Sequence, residues 1–62
     1  MEEIREELRK VEIGEVPVVV GLSRVSRIAE KNNLQPVIEI LDNVDRTITP
    51  IQACIEILNL GK

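Results

Sequence analysis

The sequence contains no phenylalanine, tyrosine, tryptophan or histidine. Proteins that hold single-stranded nucleic acids commonly stack the bases on aromatic rings, so we expect no partner of that class. The commonest general acid–base of enzymes is histidine, and no base is evident beside Ser23, Ser26 or Cys54. The sequence therefore predicts a protein that is not an enzyme.

Cysteine is nearly absent as well, because Cys54 is the only one. One cysteine forms no intrachain disulfide, and the chain lacks a set of Cys and His residues for a structural zinc ion. Cys54 falls on an apolar helical stripe, which favours a buried, inert thiol. Glu39, Asp42 and Asp45 recur at i, i+3 and i+6, but such spacing is common on solvated helices. We expect no metal ion and no cofactor.

Long hydrophobic runs are missing too. No stretch approaches the roughly 18 apolar residues that span a bilayer, and the acidic first seven residues lack the apolar core of a secretory signal. A cytoplasmic protein without membrane contact is the expectation. The net charge of −3 disfavours non-specific nucleic-acid binding, since that affinity depends on neutralising phosphates.

Branched aliphatic side chains are abundant: 23 of the 62 residues are Ile, Val or Leu. A domain of this length buries only about 60% of its unfolded surface, so its stability is marginal. Since disulfides and zinc are excluded, oligomerisation is the remaining common support for so small a domain. The sequence predicts one domain over residues 1–62, assembled as a dimer or a higher homo-oligomer.

Hydrophobic spacing predicts an α+β, helix-rich fold: an N-terminal helix, a short β-hairpin or single strand, and three C-terminal helices. Apolar residues at i, i+4 and i+7 predict the first helix from Glu2 to about Lys10. β-Branched residues around a Gly-Glu pair in residues 11–20 favour a hairpin with a type II′ turn. The alternative is one strand, residues 16–20, which pairs with the same strand of a second subunit.

The three C-terminal helices are delimited by capping signals. Gly21 is predicted to end the strand, and Ser23 to cap a helix that runs to about Asn32. Pro36 suits the first turn of the next helix, which is expected to end near Arg46. The last helix has the clearest start, residues 49–52, where Thr, Pro and Gln form a capping box, and Gly61 is predicted to stop it.

The last helix carries apolar residues on more than one side, which indicates burial on more than one side. Ile51, Cys54, Ile55 and Leu58 form one stripe, and Ile57 lies outside it. In so short a chain, a second buried side favours contact with another copy. The residues predicted for the oligomer interface are Val18, Val20, Ile51, Ile55, Ile57, Leu58 and Leu60.

Arg24, Arg27 and Lys31 recur at i, i+3 and i+7 and form a basic stripe on the second helix. A solvated face is one interpretation, and an acidic partner surface is another. A third is duplex DNA, because residues 28–34 loosely resemble a helix-turn-helix. Against this interpretation, Pro36 opens the second helix and acidic residues line it. The fourth is an anion or nucleotide phosphate held by Ser23 and the basic stripe at a strand–Gly21–helix joint.

The function favoured by these observations is that of a non-enzymatic protein-interaction module. An excess of aliphatic residues and the absence of catalytic chemistry are typical of a small self-associating regulator or assembly factor. Its expected partners are a second copy of itself and another protein. The first alternative is a small dimeric DNA-binding regulator, and the second is the phosphate binder.

Overall fold

The computed structural model describes residues 2–60, and these residues form four α-helices. They are α1 (Glu2–Glu12), α2 (Val18–Lys31), α3 (Gln35–Asp42) and α4 (Pro50–Leu60). The helices pack into a body of 26 × 24 × 21 Å. Both α2 and α4 contact each of the other three helices, so these two form the centre of the bundle.

The α+β prediction is wrong, because residues 2–60 contain neither a hairpin nor a strand. Gly14 ends α1 with a φ of 85°, a conformation that glycine adopts without steric cost. The Gly14 N–H donates to the carbonyl of Val11 and the Glu15 N–H to that of Lys10, at 3.1 and 2.9 Å. The chain then turns, and at Pro17 it enters α2.

Val18, Val19 and Val20 were predicted to be part of a strand, but they form the first turn of α2. Pro17 precedes this helix with φ −59° and ψ 147°, and its carbonyl accepts the N–H of Gly21 at 2.9 Å. Valine in a helix costs only a few tenths of a kcal/mol, whereas a lone two-stranded hairpin is marginally stable. Packing of Val18 against the core outweighs the local strand preference. The predicted Ser23 cap is also wrong, since Ser23 is exposed inside the helix.

Gly21 does not end an element but lies inside α2, where α2 passes α1. A Cβ atom added at this position would overlap the Cγ2 methyl group of Val11. The missing side chain therefore lets the two helix backbones approach closely. It also explains the presence of glycine in a helix, where this residue ordinarily costs about 1 kcal/mol relative to alanine.

The core is aliphatic and draws on all four helices. Eight hydrophobic residues are buried: Ile4, Leu8, Leu22, Val25, Ala29, Val37, Ala53 and Ile57. The described part of the chain buries no polar or charged residue and leaves no buried side-chain polar atom without a hydrogen-bond partner. Hydrophobic burial is thus the main stabilising term of the fold.

The turn between α2 and α3 matches the sequence prediction. Asn32 caps α2 and its side-chain amide donates to the Ile28 carbonyl at 2.9 Å, while Asn33 adopts a left-handed φ of 54°. The Leu34 N–H then donates to the Ala29 carbonyl at 2.8 Å, and Leu34 packs against the core. Asparagine tolerates this conformation better than most residues, which makes it a common helix stop.

The third helix ends at Asp42, earlier than the predicted Arg46. The carbonyl oxygen of Asn43 accepts hydrogen bonds from the backbone N–H groups of Arg46, Thr47 and Ile48. These three hydrogen bonds form where the last helical turn was predicted. Asp45 has a φ of 65° and donates its N–H to Ile48 at 2.9 Å. The loop 43–49 is therefore a compact, hydrogen-bonded connection to α4.

The start of α4 is confirmed as a capping box. The Gln52 N–H donates to Thr49 Oγ1 at 3.1 Å, and the Thr49 N–H donates to Gln52 Oε1 at 2.9 Å. The N–H groups of Thr49 and Gln52, which have no carbonyl partner within the helix, are each hydrogen-bonded in this way. The Gly61 stop predicted for this helix lies outside the described residues.

Candidate functional site

Half of the apolar stripe of α4 faces outward, because Ile51 and Ile55 are exposed, whereas Cys54 and Leu58 are half-buried and pack against the core. Ala53 and Ile57 are the residues of α4 that enter the core, and both are fully buried. Ile51 and Ile55, on another side of the helix, are 64% and 55% exposed. We call residues Ile51, Cys54, Ile55 and Leu58 the α4 stripe. Its spacing of i, i+3, i+4 and i+7 is that of a helix face that packs on another helix.

A groove runs beside this stripe, between α4, α1 and the start of α2. We call it the α1/α4 groove; its volume is about 380 Å³. Its walls combine the α4 stripe with residues from the other two helices: Leu8, Val11, Glu12 and Val18. Glu12 supplies the only charge among these lining residues. Such a surface is suited to an aliphatic side chain and offers few partners to a polar ligand.

The groove and a neighbouring depression each contain one charged residue of α1. A neighbouring depression continues it past Ile55 and Leu58 to Arg5 and Asn59. Arg5 therefore lies beside the C-terminal half of α4, whereas Glu12 lies in the groove together with Ile51. Both charged side chains belong to exposed residues of α1. The groove lining thus contains one carboxylate, and the neighbouring depression contains one guanidinium group.

Cys54 lies within the stripe and is half-buried. Burial raises the pKa of its thiol, because the low-polarity surroundings disfavour the thiolate, while a backbone hydrogen bond opposes this effect. A raised pKa lowers the thiolate fraction at neutral pH, and the thiolate is the nucleophilic form. The position of Cys54 fits a packing residue of the groove.

The other residues predicted for the oligomer interface do not join this surface. Ile57 is fully buried in the core of the chain itself. Val20 is 41% exposed on α2 but does not line the groove, and Leu60 borders a separate depression with Leu34 and Pro36. Of the residues predicted for the oligomer interface, the structure thus brings together Val18, Ile51, Ile55 and Leu58.

The predicted basic stripe is partly engaged with α1. Arg24 Nη1 lies 3.3 Å from Glu7 Oε1, and Lys10 Nζ lies 3.4 Å from Glu7 Oε2. Arg27 and Lys31 are exposed on the same helix. Ion pairs between partly exposed residues contribute about 0–1 kcal/mol, so this cluster stabilises the α1–α2 contact only slightly.

The phosphate site predicted at a strand–Gly21–helix joint lacks its structural basis. Gly21 and Ser23 both lie inside α2, where the backbone N–H groups are used within the helix. No strand end converges with a helix start at this place within the described chain. The N–H cradle that the interpretation required is therefore not formed by these residues.

The predicted recognition helix presents acidic groups. Glu39 and Asp42 are exposed on α3, and Asp45 is exposed in the following loop. Carboxylates on an exposed helix repel the phosphates of a duplex, which disfavours its insertion into a DNA groove. Among residues 2–60, no group of three or more His, Cys, Asp or Glu residues could hold a metal ion.

Leu8, Val11 and Glu12 line the groove and Arg5 lines the neighbouring depression, but the sequence analysis did not assign any of them to this surface. Arg5, Leu8 and Glu12 recur at i, i+3 and i+7, which places them on one side of α1. That spacing was available in the sequence. The position of α4 beside this side of α1 was not, because it depends on packing between distant parts of the chain.

Comparisons with known proteins do not add an identification. Protein-family models, curated proteins and solved structures were compared with the chain, and none of them matches it. In the part of the chain that the structure describes, every helix is too short or too polar to cross a membrane.

Proposed function

We propose that this chain is a non-enzymatic protein-interaction module, a small self-associating regulator or assembly factor, and that the α4 stripe is its binding face. The observation that carries the proposal is the outward orientation of Ile51 and Ile55. Ile51 and Ile55 remain more than half exposed in a chain of 62 residues whose stability has little margin. Covering these side chains would remove apolar surface from water, at about 25 cal/mol per Å².

The chemistry of the α1/α4 groove supports a helix as the partner structure. Apart from Glu12 its lining is aliphatic or thiol, and Ile51, Cys54, Ile55 and Leu58 have helix-packing spacing. Grooves of this kind accept the apolar face of an amphipathic helix. A cytoplasmic setting, where Cys54 stays reduced, suits this proposal.

Solution mass over a concentration series tests the proposal. We expect the wild-type chain to rise from monomer to a discrete oligomer by light scattering with refractive-index detection, since it lacks Trp and Tyr. Ile55→Glu places a carboxylate in the apolar interface and should leave the chain monomeric but folded. Ile13→Glu is the matched control, because Ile13 is 63% exposed outside the groove lining.

The two isoleucine variants make the outcomes separable. Loss of the oligomer in Ile55→Glu alone supports the α4 stripe as the binding face. Equal loss in both variants contradicts it. A wild-type chain that stays monomeric at millimolar concentration contradicts self-association altogether.

A further inference from the structure

We propose that a cleft between α2 and the loop 43–49 binds a primary alkylammonium group, with the carboxylate of Asp45 as the partner of the ammonium. We call it the α2/loop cleft; its volume is about 240 Å³. Among the described residues, its lining shares none with the α1/α4 groove. The inference therefore goes beyond the proposed function and does not depend on it.

The walls of the α2/loop cleft are mostly aliphatic. The apolar lining residues come from α2, α3, the loop and the start of α4: Val19, Leu22, Leu41, Val44 and Pro50. An enclosed cavity of about 150 Å³ is large enough to hold benzene, so the cleft has room for an alkyl chain of several carbons. Contact with these walls removes the alkyl chain from water, which favours binding.

Three polar side chains complete the lining: Ser23 and Ser26 of α2, and Asp45 of the loop. Ser23 and Asp45 are exposed and Ser26 is half-buried, so a ligand can reach them from solvent. Within residues 2–60, none of these three side chains has a hydrogen-bond or ion-pair partner. Their oxygen atoms are therefore available as acceptors.

The polar part of the lining selects a cation. Asp45 is the only charged residue among the described lining residues, and the two serine hydroxyl groups can accept further hydrogen bonds. An ammonium group carries one positive charge and three N–H donors, which matches a carboxylate with neighbouring hydroxyl groups. A hydrogen bond between two charged groups is about twice as strong as one between neutral groups, so a neutral ligand would gain less.

The loop holds the backbone of Asp45 in a defined conformation before any ligand binds. The Asp45 N–H donates to the Ile48 carbonyl at 2.9 Å, and the side-chain amide of Asn43 donates to the Glu39 carbonyl at 3.1 Å. Because the backbone that carries the carboxylate is already ordered, ligand binding need not order it. Preorganisation of this kind lowers the cost of binding.

The left-handed φ of 65° at Asp45 offers a second reason for an aspartate at this position. Asp and Asn both tolerate this conformation better than most residues do. Asparagine would therefore meet the demand of the backbone, and it has nearly the same shape, but it carries no charge. The variant Asp45→Asn thus separates a binding role of the carboxylate from a backbone role of the residue.

Titration with n-butylammonium chloride at constant ionic strength, followed by two-dimensional ¹H–¹⁵N NMR, tests the inference. We expect saturable shift changes in residues 19–26 and 41–50, with a Kd on the order of 1–10 mM for so small a ligand. n-Butanol has the same alkyl chain without the charge, and butyrate has the opposite charge. Both should bind at least about tenfold more weakly than n-butylammonium.

Asp45→Asn should weaken the binding of n-butylammonium about tenfold and leave the chain folded. Asp42→Asn is the matched control, because Asp42 is exposed on α3, loses the same charge and does not line the cleft. Its Kd should stay within about twofold of the wild-type value, since exposed charges at a distance are screened by salt. The double variant Ser23→Ala/Ser26→Ala should weaken binding about threefold.

A blocked lysine, Nα-acetyl-lysine N-methylamide, distinguishes two sources of the ammonium group. Binding as tight as that of n-butylammonium, with the same dependence on Asp45, supports a lysine side chain of another polypeptide as the natural occupant. Binding of the free amine alone supports a small amine.

Three results would each overturn the inference. They are the absence of saturable shift changes in the cleft with n-butylammonium on the order of 100 mM, an equal Kd for n-butanol, and an unchanged Kd in Asp45→Asn. None of them bears on the α4 stripe, because self-association is measured by solution mass and depends on Ile55. The two proposals can therefore fail separately.

Discussion

Gly21 shows how one residue sets the distance between two helices. Its local sequence, after three valines, is typical of a strand end, yet the residue lies in α2 against the Val11 side chain of α1. The interior of proteins is packed closely enough that one added methyl group is felt. The close α1–α2 contact therefore depends on the absence of a Cβ atom at Gly21.

We expect Gly21→Ala to destabilise the fold although alanine is the better helix former. Overpacking costs about 1–3 kcal/mol, and the gain in helix propensity returns at most about 1 kcal/mol. Gly21→Val should be worse, since it adds further atoms in the same place. Urea unfolding followed by circular dichroism measures the change. The double variant Val11→Ala/Gly21→Ala removes the overlapping methyl group and should recover part of the loss, and failure to recover would contradict the contact.

At the scale of the element, α4 combines three separate roles in 11 residues. Thr49 and Gln52 start it, Ala53 and Ile57 attach it to the core, and Ile51 and Ile55 remain exposed for a partner. A helix this short is unstable in isolation, so its helicity depends on the cap and on tertiary packing. The binding face therefore exists only while the fold holds α4 in place.

The capping box should contribute measurably to that stability. Loss of a Thr cap costs about 0.5–2 kcal/mol, and 1 kcal/mol corresponds to about 4–8 °C in Tm for a domain of this size. We expect Thr49→Ala and Gln52→Ala each to lower Tm, with Thr49→Ala the more harmful. Thr47→Ala, an exposed residue of the same loop, is the control. Thermal melting gives the comparison, and an unchanged Tm in Thr49→Ala would contradict the role of the cap.

At the scale of the whole molecule, the aliphatic residues divide into a buried group and an exposed group. The core of eight buried residues is complete in one chain, while several large aliphatic residues remain outside it. Ile51 and Ile55 are among those outside, and they lie beside a groove rather than alone. Contiguous apolar surface on a small protein marks an interaction site more often than scattered exposed residues do.

Cys54 reports on the occupancy of that groove. Its raised pKa should shift the rate of maleimide modification to higher pH than that of a free cysteine, because less thiolate is present at a given pH. If the groove is covered by a second copy, the reaction should also slow as protein concentration rises. Mass spectrometry of timed samples measures both effects. A rate independent of concentration in the range where the mass increases would place the interface elsewhere.

The sequence by itself determined the features that depend on neighbouring residues. The first helix, the end of the second helix near Asn32 and the capping box before α4 were predicted at or near their observed positions, since a cap or a turn requires only residues within a few positions of one another. The apolar spacing of Ile51, Cys54, Ile55 and Leu58 was also visible.

Only the tertiary structure decided the conformation of residues 11–20 and the orientation of α4. β-Branched residues favour strands locally, but the helical alternative buries Val18 and lets Gly21 pack on Val11, and that gain comes from contacts between elements. Both faces of α4 are apolar, so spacing did not reveal that Ile57 would enter the core and Ile55 would face solvent. Long-range packing selects one face, and no local pattern encodes that choice.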